Sequence, residues 1–230
     1  MFGRCVHEKN LVVTALASAV ACSGVAQADE SWPDLFREAV GDFDGQDEAH
    51  RYDMSVVSGD GDMLFRYSFD PMQATPLQIE ERSEEISEED ILEGLSDDEG
   101  DIWCDGMQEQ VLGNVALVSE DEATATFTYT PTTRPDADSM ERQVVERTVA
   151  TAVVDKATRQ ISSFSYHLPQ SFKPIIVARV HTFDLNGTCV AGPSGRRFIS
   201  EMTVSIDISA MGSRHTETTI QRVENVEAVR

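Results

Sequence analysis

The sequence predicts an α+β protein, mainly β, in which an antiparallel meander forms a curved sheet or half-barrel with a few short helices on one side. Two observations predict this class. From residue 50 onward, short runs of alternating apolar and polar residues are separated by turn-forming residues. Apolar residues make up 40% of the 230-residue chain, which is too many for wholesale disorder.

The first predicted element is a short helix that opens at Ser31 and ends near Gly41. Ser31 and Asp34 form a pair that resembles a capping box, and Pro33 lies in the first turn, where its missing N–H costs no hydrogen bond. Residues 50–70 then predict a β-hairpin, because two alternating runs flank a turn rich in glycine and aspartate.

Residues 76–105 predict an acidic helical insert. Thirteen acids lie between Glu80 and Asp105, against one arginine. Ser87 stands three residues before Asp90, as in a capping box, and acids in a first turn favour the helix dipole. We expect one or two short acidic helices or an acidic flap, with an apolar stripe formed by Ile86, Ile91, Leu92 and Leu95.

From residue 114 the pattern is typical of an antiparallel meander, because strand-like runs follow one another through short turns. A polar loop at 131–139 interrupts it. Asn186–Gly187–Thr188 matches a glycosylation sequon, and we interpret its Asn–Gly pair as a turn. The predicted strands are 114–118, 124–129, 147–154, 160–167, 175–185, a strand at Cys189, 198–209 and 216–226.

The first 28 residues predict a secretory signal peptide. A short basic start precedes an uncharged run from Leu11 to Cys22, which is too short to span a bilayer as a helix. Small residues at Ala26 and Ala28 fit signal peptidase, so we predict cleavage after Ala28 and export to the periplasm. The alternative is a lipoprotein anchored at Cys22. Residues 29–230 would form a single β-rich domain without a transmembrane segment.

Cleavage after Ala28 would leave two cysteines, Cys104 and Cys189. An even number of cysteines in an oxidising compartment predicts one disulfide. The alternative is a pair of buried free thiols. No metal site is predicted, because neither cysteine has a second cysteine or a histidine at ligand spacing.

The charge balance is strongly acidic, with 41 Asp and Glu against 18 Lys and Arg and a net charge of −23. This balance argues against nucleic acid as a partner and against electrostatic docking on anionic lipid, since both need clustered cations. Three acidic turns, at 42–47, 60–62 and 97–101, offer oxygen ligands, but none matches the EF-hand register. We interpret them as solvated turns and leave weak calcium binding open.

No catalytic motif is present in the sequence. It contains no G-x-S-x-G nucleophile elbow, no H-x-x-x-H pair and no glycine-rich phosphate loop. We therefore predict a protein that is not an enzyme and has no cofactor. The histidines beyond the predicted signal are scattered over different predicted strands: His50, His167, His181 and His215.

Aromatic residues recur on single faces of two predicted strand pairs. Phe65 and Tyr67 alternate in the first pair, and Phe127 and Tyr129 alternate in the second. Such faces form the core of a sheet or, alternatively, the wall of a cavity for an apolar ligand.

Two stretches resemble the periplasmic lipoprotein-carrier group, which includes LolA-like and LolB-like proteins. The run from Thr148 to Ile161 is similar to their strand-turn-strand segment. Gly195 to Val204, followed by 218–226, is similar to their final strands. The resemblance implies a curved, unclosed sheet with helices as a lid over an apolar cavity that carries acyl chains without catalysis. It assigns a role to no individual residue.

The sequence thus predicts a non-enzymatic periplasmic protein that binds an apolar ligand, a lipid or an acylated protein, in a half-barrel cavity. Phe65, Tyr67, Phe127 and Tyr129 are the predicted cavity wall. The alternative is an acidic interaction or regulatory module of the envelope, without a small ligand, whose acidic segment binds a basic protein partner.

Overall fold

The structure, a computed structural model, describes residues 31–41, 43, 49–95, 102–133 and 139–229. The predicted signal with Cys22, the acidic turn at 97–101 and all but one residue of the turn at 42–47 lie outside the described residues. Cleavage after Ala28, export and the lipoprotein alternative therefore stay predictions.

The described residues form three short helices, one 3₁₀ turn and eleven strands. The helices are α1 (Asp34–Val40), α2 (Glu88–Leu95) and α3 (Ser139–Val145), and the 3₁₀ turn is Met107–Gln110. The strands are β1 (His50–Ser58), β2 (Met63–Phe69), β3 (Leu77–Arg82), β4 (Val111–Glu120), β5 (Thr124–Pro131), β6 (Val149–Asp155), β7 (Gln160–His167), β8 (Phe172–Ile175), β9 (Ala178–Ala191), β10 (Arg197–Ala210) and β11 (Ser213–Ala228).

All eleven strands belong to one antiparallel sheet, in the order β3-β2-β1-β11-β10-β9-β7-β6-β5-β4, with β8 paired beside them to β9. β1 pairs with β11, so the first and the last of the described strands are neighbours inside the sheet. β3 and β4 are its edges, and the sheet does not close. This arrangement confirms the predicted fold class, an α+β, mainly β, curved antiparallel sheet.

Buried apolar side chains form two separate clusters, and the strands contribute mainly alternate residues to them, because successive residues of a strand point to opposite faces. The first cluster contains Trp32, Phe36, Ala39, Val40, Cys104, Met107, Val111, Ala125, Phe127, Tyr129, Val144, Ala150, Ala152, Val154, Ile161, Phe164, Tyr166, Leu168, Val180, Phe183, Leu185, Cys189, Ile199, Met202, Val204 and Ile206. The second cluster contains Tyr52, Val56, Phe65, Tyr67, Phe69, Leu77, Ile91, Ile102, Trp103, Phe198 and Val223.

A disulfide joins Cys104 to Cys189, as predicted, and ties the segment before the 3₁₀ turn to β9. Contacts of the residues next to Cys104 also fix this segment against the sheet. The backbone N–H of Cys104 donates to the carbonyl oxygen of Arg197 at 3.0 Å. The guanidinium of Arg196 lies 4.3 Å from the centre of the Trp103 ring and donates to Asp105 at 2.8 Å. The disulfide and the Trp103 contacts thereby connect this segment to both clusters.

The acidic segment is less helical than predicted. Its first part is the edge strand β3, in which Leu77 is buried against β2 while Glu80 and Glu81 lie on the rim of the sheet. An edge strand tolerates exposed charge, which also discourages pairing with other molecules. The helical part, α2, begins where predicted, because Ser87 Oγ accepts from the backbone N–H of Asp90 at 3.1 Å.

Two helix assignments differ from the prediction. The amino-terminal helix begins at Asp34 rather than Ser31, with Pro33 directly before it. α3 was not predicted at all. Its apolar residues Val144 and Val145 are buried, but the helix is only two turns long and too short to show a clear period of 3.6 residues.

The Asn186–Gly187 pair lies inside β9 and is not the turn that the sequence predicts. The predicted strand at 175–185 and the Cys189 strand form one strand of 14 residues that begins at Ala178. Packing explains why a glycine stands inside this strand, because a Cβ atom at position 187 would lie 2.3 Å from Cζ of Phe164. The aromatic ring occupies the space that a side chain at this position would need.

We predict that Gly187→Ala lowers the free energy of unfolding by about 1–3 kcal/mol, because the methyl group displaces the Phe164 ring in a packed core. Urea unfolding of the purified protein measures this change. In a Phe164→Leu background the same substitution should cost clearly less. Thr188→Ala, an exposed neighbour in β9, is the matched control. Equal costs of Gly187→Ala in both backgrounds would contradict the packing explanation.

Candidate functional site at a hairpin tip

Phe65 and Tyr67, two of the four predicted cavity residues, are buried in the second cluster, with 5% and 3% of their surface exposed. Their ring centres lie 6.4 Å apart. Tyr67 also contacts Tyr52 at 6.3 Å, and its hydroxyl donates to the Met54 sulfur at 3.0 Å. These two rings are therefore packed against protein groups of the amino-terminal hairpin.

Phe127 and Tyr129 are buried in the first cluster, beneath α1. The ring of Phe36 lies 5.4 Å from Phe127 and 5.5 Å from Tyr129. Six strands separate β5, which carries this pair, from β2, which carries Phe65 and Tyr67. At about 4.8 Å per strand, the two pairs are roughly 34 Å apart along the sheet. The structure thus brings each pair together but not all four, and their role as a cavity wall stays a prediction.

A buried polar pair lies beside Tyr129. The hydroxyl of Tyr166 donates to Oε1 of Gln110 at 3.0 Å. Burial raises the pKa of Tyr166 to about 12 and raises the pKa of Tyr129 as well. Both phenols are therefore protonated at neutral pH and do not serve as bases there.

One histidine lies next to a serine. Nε2 of His181 in β9 is 3.0 Å from Oγ of Ser209 in β10. Sequence inspection missed this pair because the two residues are 28 positions apart and meet only through strand pairing. The remaining histidines have other neighbours: His167 contacts Asp184, His215 contacts Glu217, and His50 lies against the ring of Trp103.

The carboxylate nearest in sequence to this Ser–His pair is engaged elsewhere. Both oxygens of Asp207 accept hydrogen bonds from Arg214, and these bonds lower the pKa of the Asp207 carboxyl. A serine–histidine–aspartate triad needs a carboxylate that accepts from the imidazole and orients it. Asp207 instead forms an ion pair with Arg214, so the pair does not extend to a triad through this residue.

A polar cleft of about 580 Å³ opens where β1, β2 and β11 meet the connection to β3. Nδ2 of Asn225 donates to Asp53 at 2.6 Å, and Nε of Arg51 donates to Glu227 at 3.0 Å. Its volume is typical of small-ligand sites, but its polar lining does not suit an apolar ligand. The cleft is lined by Arg51, Tyr52, Asp53, Ser68, Phe69, Asp70, Gln73, Pro76, Gln78, Asn225 and Glu227.

Within the described residues, no group of three or more His, Cys, Asp or Glu side chains is arranged to hold a metal ion. No helix in the same part of the chain is long and apolar enough to cross a membrane.

Four aliphatic side chains are exposed at the ends of two neighbouring hairpins. Ile175, Ile176 and Val177 lie at the turn between β8 and β9, and Met211 lies at the turn between β10 and β11. Ile176 is 94% exposed and Met211 is 88% exposed. The backbone N–H of Met211 donates to the carbonyl of Val177 at 3.0 Å, which holds the two turns side by side. We call these four residues the apolar tip.

The turn at Met211 uses an uncommon backbone conformation. Met211 has a φ of +50° and Gly212 a φ of +86°, as a tight two-residue hairpin turn requires. Asn, Asp and Gly are the residues that usually take these positions, because a longer side chain is strained at positive φ. A methionine that is both strained and exposed gains nothing from packing inside this chain.

The two chain segments that carry the apolar tip contain no acid. Residues 168–183 and 208–216 include no Asp or Glu, although the chain has 41 acids among 230 residues. Lys173 is exposed, and Arg179 donates to Ser171 at 2.9 Å. The tip is therefore apolar, free of acids and flanked by cations in a protein whose net charge is −23.

Comparisons with known proteins identify no family. No protein-family model matches the chain, and no curated protein matches it significantly. Among solved structures it is similar to a DUF1329 family protein from Desulfovibrio piger, with a TM-score of 0.30 and 14% sequence identity over 80% of this chain and 87% of that chain. Similarity of this degree supports neither a shared fold nor a shared function, and the likeness to lipoprotein carriers stays a prediction.

We predict that Tyr166 makes stability fall at alkaline pH. In the folded protein the pKa of Tyr166, about 12, lies above the ordinary value of 10.0. The protonated Tyr166 therefore makes its full contribution to the free energy of unfolding below pH 10, and this contribution is lost as the pH rises towards 12. Urea unfolding from neutral to alkaline pH measures the slope. Tyr166→Phe should unfold at lower urea at neutral pH but lose less stability between about pH 10 and 12. Parallel pH profiles for the two proteins would contradict this assignment.

Proposed function

We propose that the protein is a non-enzymatic periplasmic binding protein whose ligand is apolar, either a lipid or the acyl chain of a protein. The observation that supports this proposal most is the apolar tip. Four aliphatic side chains stay in water, and burying one such side chain is worth about 1.5–3 kcal/mol. A partner that covers the tip recovers this free energy.

The proposal places the first contact with the ligand at the apolar tip and not at the four aromatic residues. Phe65 and Tyr67 already pack within the second cluster, and Phe127 and Tyr129 within the first. A ligand would have to displace α1 or the amino-terminal hairpin to reach them. The tip needs no such rearrangement, since its side chains are exposed in the folded protein.

We predict that residues 29–230 bind a lysophospholipid carrying a fluorescent acyl chain, kept below the concentration at which it forms micelles. The double substitution Ile176→Ser/Met211→Ser should weaken binding by about tenfold or more, because it removes two aliphatic contacts. Leu117→Ser/Val118→Ser is the matched control, because both residues are exposed but lie on the distant edge strand β4.

Fluorescence anisotropy gives the affinity, and urea midpoints verify that each variant is folded. The proposal fails if the wild-type protein does not bind the probe. It also fails if the tip variant and the β4 control bind as tightly as the wild-type protein does.

The polar cleft favours a second candidate, an acidic interaction module for a basic protein partner. Asp53, Asp70 and Glu227 line the cleft with only one cation, Arg51, which is already paired with Glu227. A lysine or arginine side chain of a partner fits such a site. Binding of this kind weakens with salt, because exposed charges are screened over about 8–10 Å.

The second candidate predicts that a fluorescent oligo-arginine peptide binds at low ionic strength and dissociates as salt is added. Asp53→Asn/Asp70→Asn should reduce the affinity by about five- to tenfold, since two of the three carboxylates are lost. Glu122→Gln/Glu146→Gln, two exposed acids that do not line the cleft, removes the same charge and is the control. Equal losses in both variants would mean that only the overall charge attracts the peptide.

A further inference from the structure

The three central strands extend beyond their neighbours towards the apolar tip. Pairing of β7 with β9 ends at Asp184, and pairing of β1 with β11 ends at Thr219. The β9–β10 and β10–β11 ladders continue to Ala178, Ala210 and Ser213. Six further residues of β9 correspond to about 20 Å of strand. β8 is the one additional described strand that pairs with this extension.

We propose that the apolar tip inserts into the surface of a lipid bilayer that contains anionic phospholipids. This inference rests on the proposed function and identifies the apolar ligand as the bilayer itself. Ile176 and Met211, the two most exposed aliphatic side chains, enter the boundary of the acyl chains. Lys173 and Arg179 lie at the level of the phosphate groups.

The turns limit the depth of insertion. Backbone N–H and C=O groups cannot remain unpaired in hydrocarbon. One contact between the turns is satisfied internally, from Met211 N–H to the Val177 carbonyl. The remaining turn groups keep access to water if only the side chains of the tip enter the bilayer. The protein therefore attaches to the membrane surface and does not span it.

The cations beside the apolar tip favour a bilayer with anionic lipids over a neutral one. Lys173 and Arg179 flank the tip, and each cation near an anionic surface adds about fivefold in affinity. The nearest carboxylate beyond the tip in β10, Asp207, is paired with Arg214. The segments that form the tip, residues 168–183 and 208–216, contain no acid of their own. The net charge of −23 therefore does not prevent docking through this end.

Sedimentation with vesicles tests the inference on residues 29–230. Vesicles of phosphatidylcholine alone are compared with vesicles in which about a third of the lipid is anionic phosphatidylglycerol. The wild-type protein should bind the anionic vesicles about 25-fold more tightly than the neutral ones, since two cations contribute about fivefold each. Ile176→Ser/Met211→Ser should lose about tenfold on both vesicles. Lys173→Gln/Arg179→Gln should lose only the preference for anionic lipid.

Two controls separate the tip from general effects. Leu117→Ser/Val118→Ser removes exposed aliphatic side chains on the edge strand β4, four strands from β9 in the sheet order. Lys156→Gln removes a cation that pairs with Glu120 away from the tip. Both variants should bind vesicles as the wild-type protein does. Equal binding by the tip variants and these controls overturns the inference.

The outcomes also separate this inference from the proposed function. Binding of the monomeric lipid probe without binding of either vesicle overturns membrane insertion and leaves the proposed function standing. Loss of both overturns both. A third outcome is that the protein does not bind vesicles but forms dimers, and that Ile176→Ser/Met211→Ser abolishes these dimers. In that case the tip joins two copies of the chain, and the proposed membrane insertion is wrong.

Discussion

The register of the antiparallel ladder of β9, β10 and β11 sets both the buried face of these strands and the position of the apolar tip. Met202 and Val204 in β10 belong to the first cluster, whereas Val223 in β11 belongs to the second. A slip of one residue in this ladder would turn the core face towards water, because side chains alternate between faces. The same register sets Ala178 opposite Ala210 and thereby places the two exposed turns together. Core and apolar tip thus depend on one set of backbone hydrogen bonds.

Much of the fold could be predicted from local patterns, and the exceptions have physical causes. Strict alternation in 198–209 predicts β10, and the cysteine count predicts the Cys104–Cys189 disulfide. The turn predicted at Asn186–Gly187 was wrong, because Gly187 leaves space for the ring of Phe164 on the neighbouring strand. No local sequence pattern shows such a contact between strands. The sequence did not predict strand β3, because its acidic residues favoured a helical segment. An edge strand tolerates exposed acids that a central strand would exclude.

The candidate site was harder to predict, because it depends on which strands are neighbours. Alternation correctly indicates that Phe65 and Phe127 face the core, but it does not give the strand order that separates them by six strands. Residues 175–177 resemble the start of a buried strand until the structure shows them at a turn. The net charge of the whole chain also gives no information on how the charges are distributed. A total of −23 is compatible with two hairpin ends that contain no acid.

The central claim is that Ile176 enters the bilayer while the rest of the sheet stays outside. Quenching of an Ile176→Trp variant by vesicles whose anionic lipids carry bromine on the acyl chains tests this claim directly, because quenching requires contact with the acyl region. The native Trp32 and Trp103 are buried and give the same background in a Val118→Trp control. The account predicts strong quenching for Ile176→Trp and none beyond background for Val118→Trp. Equal quenching in the two variants, or none in either, would contradict it.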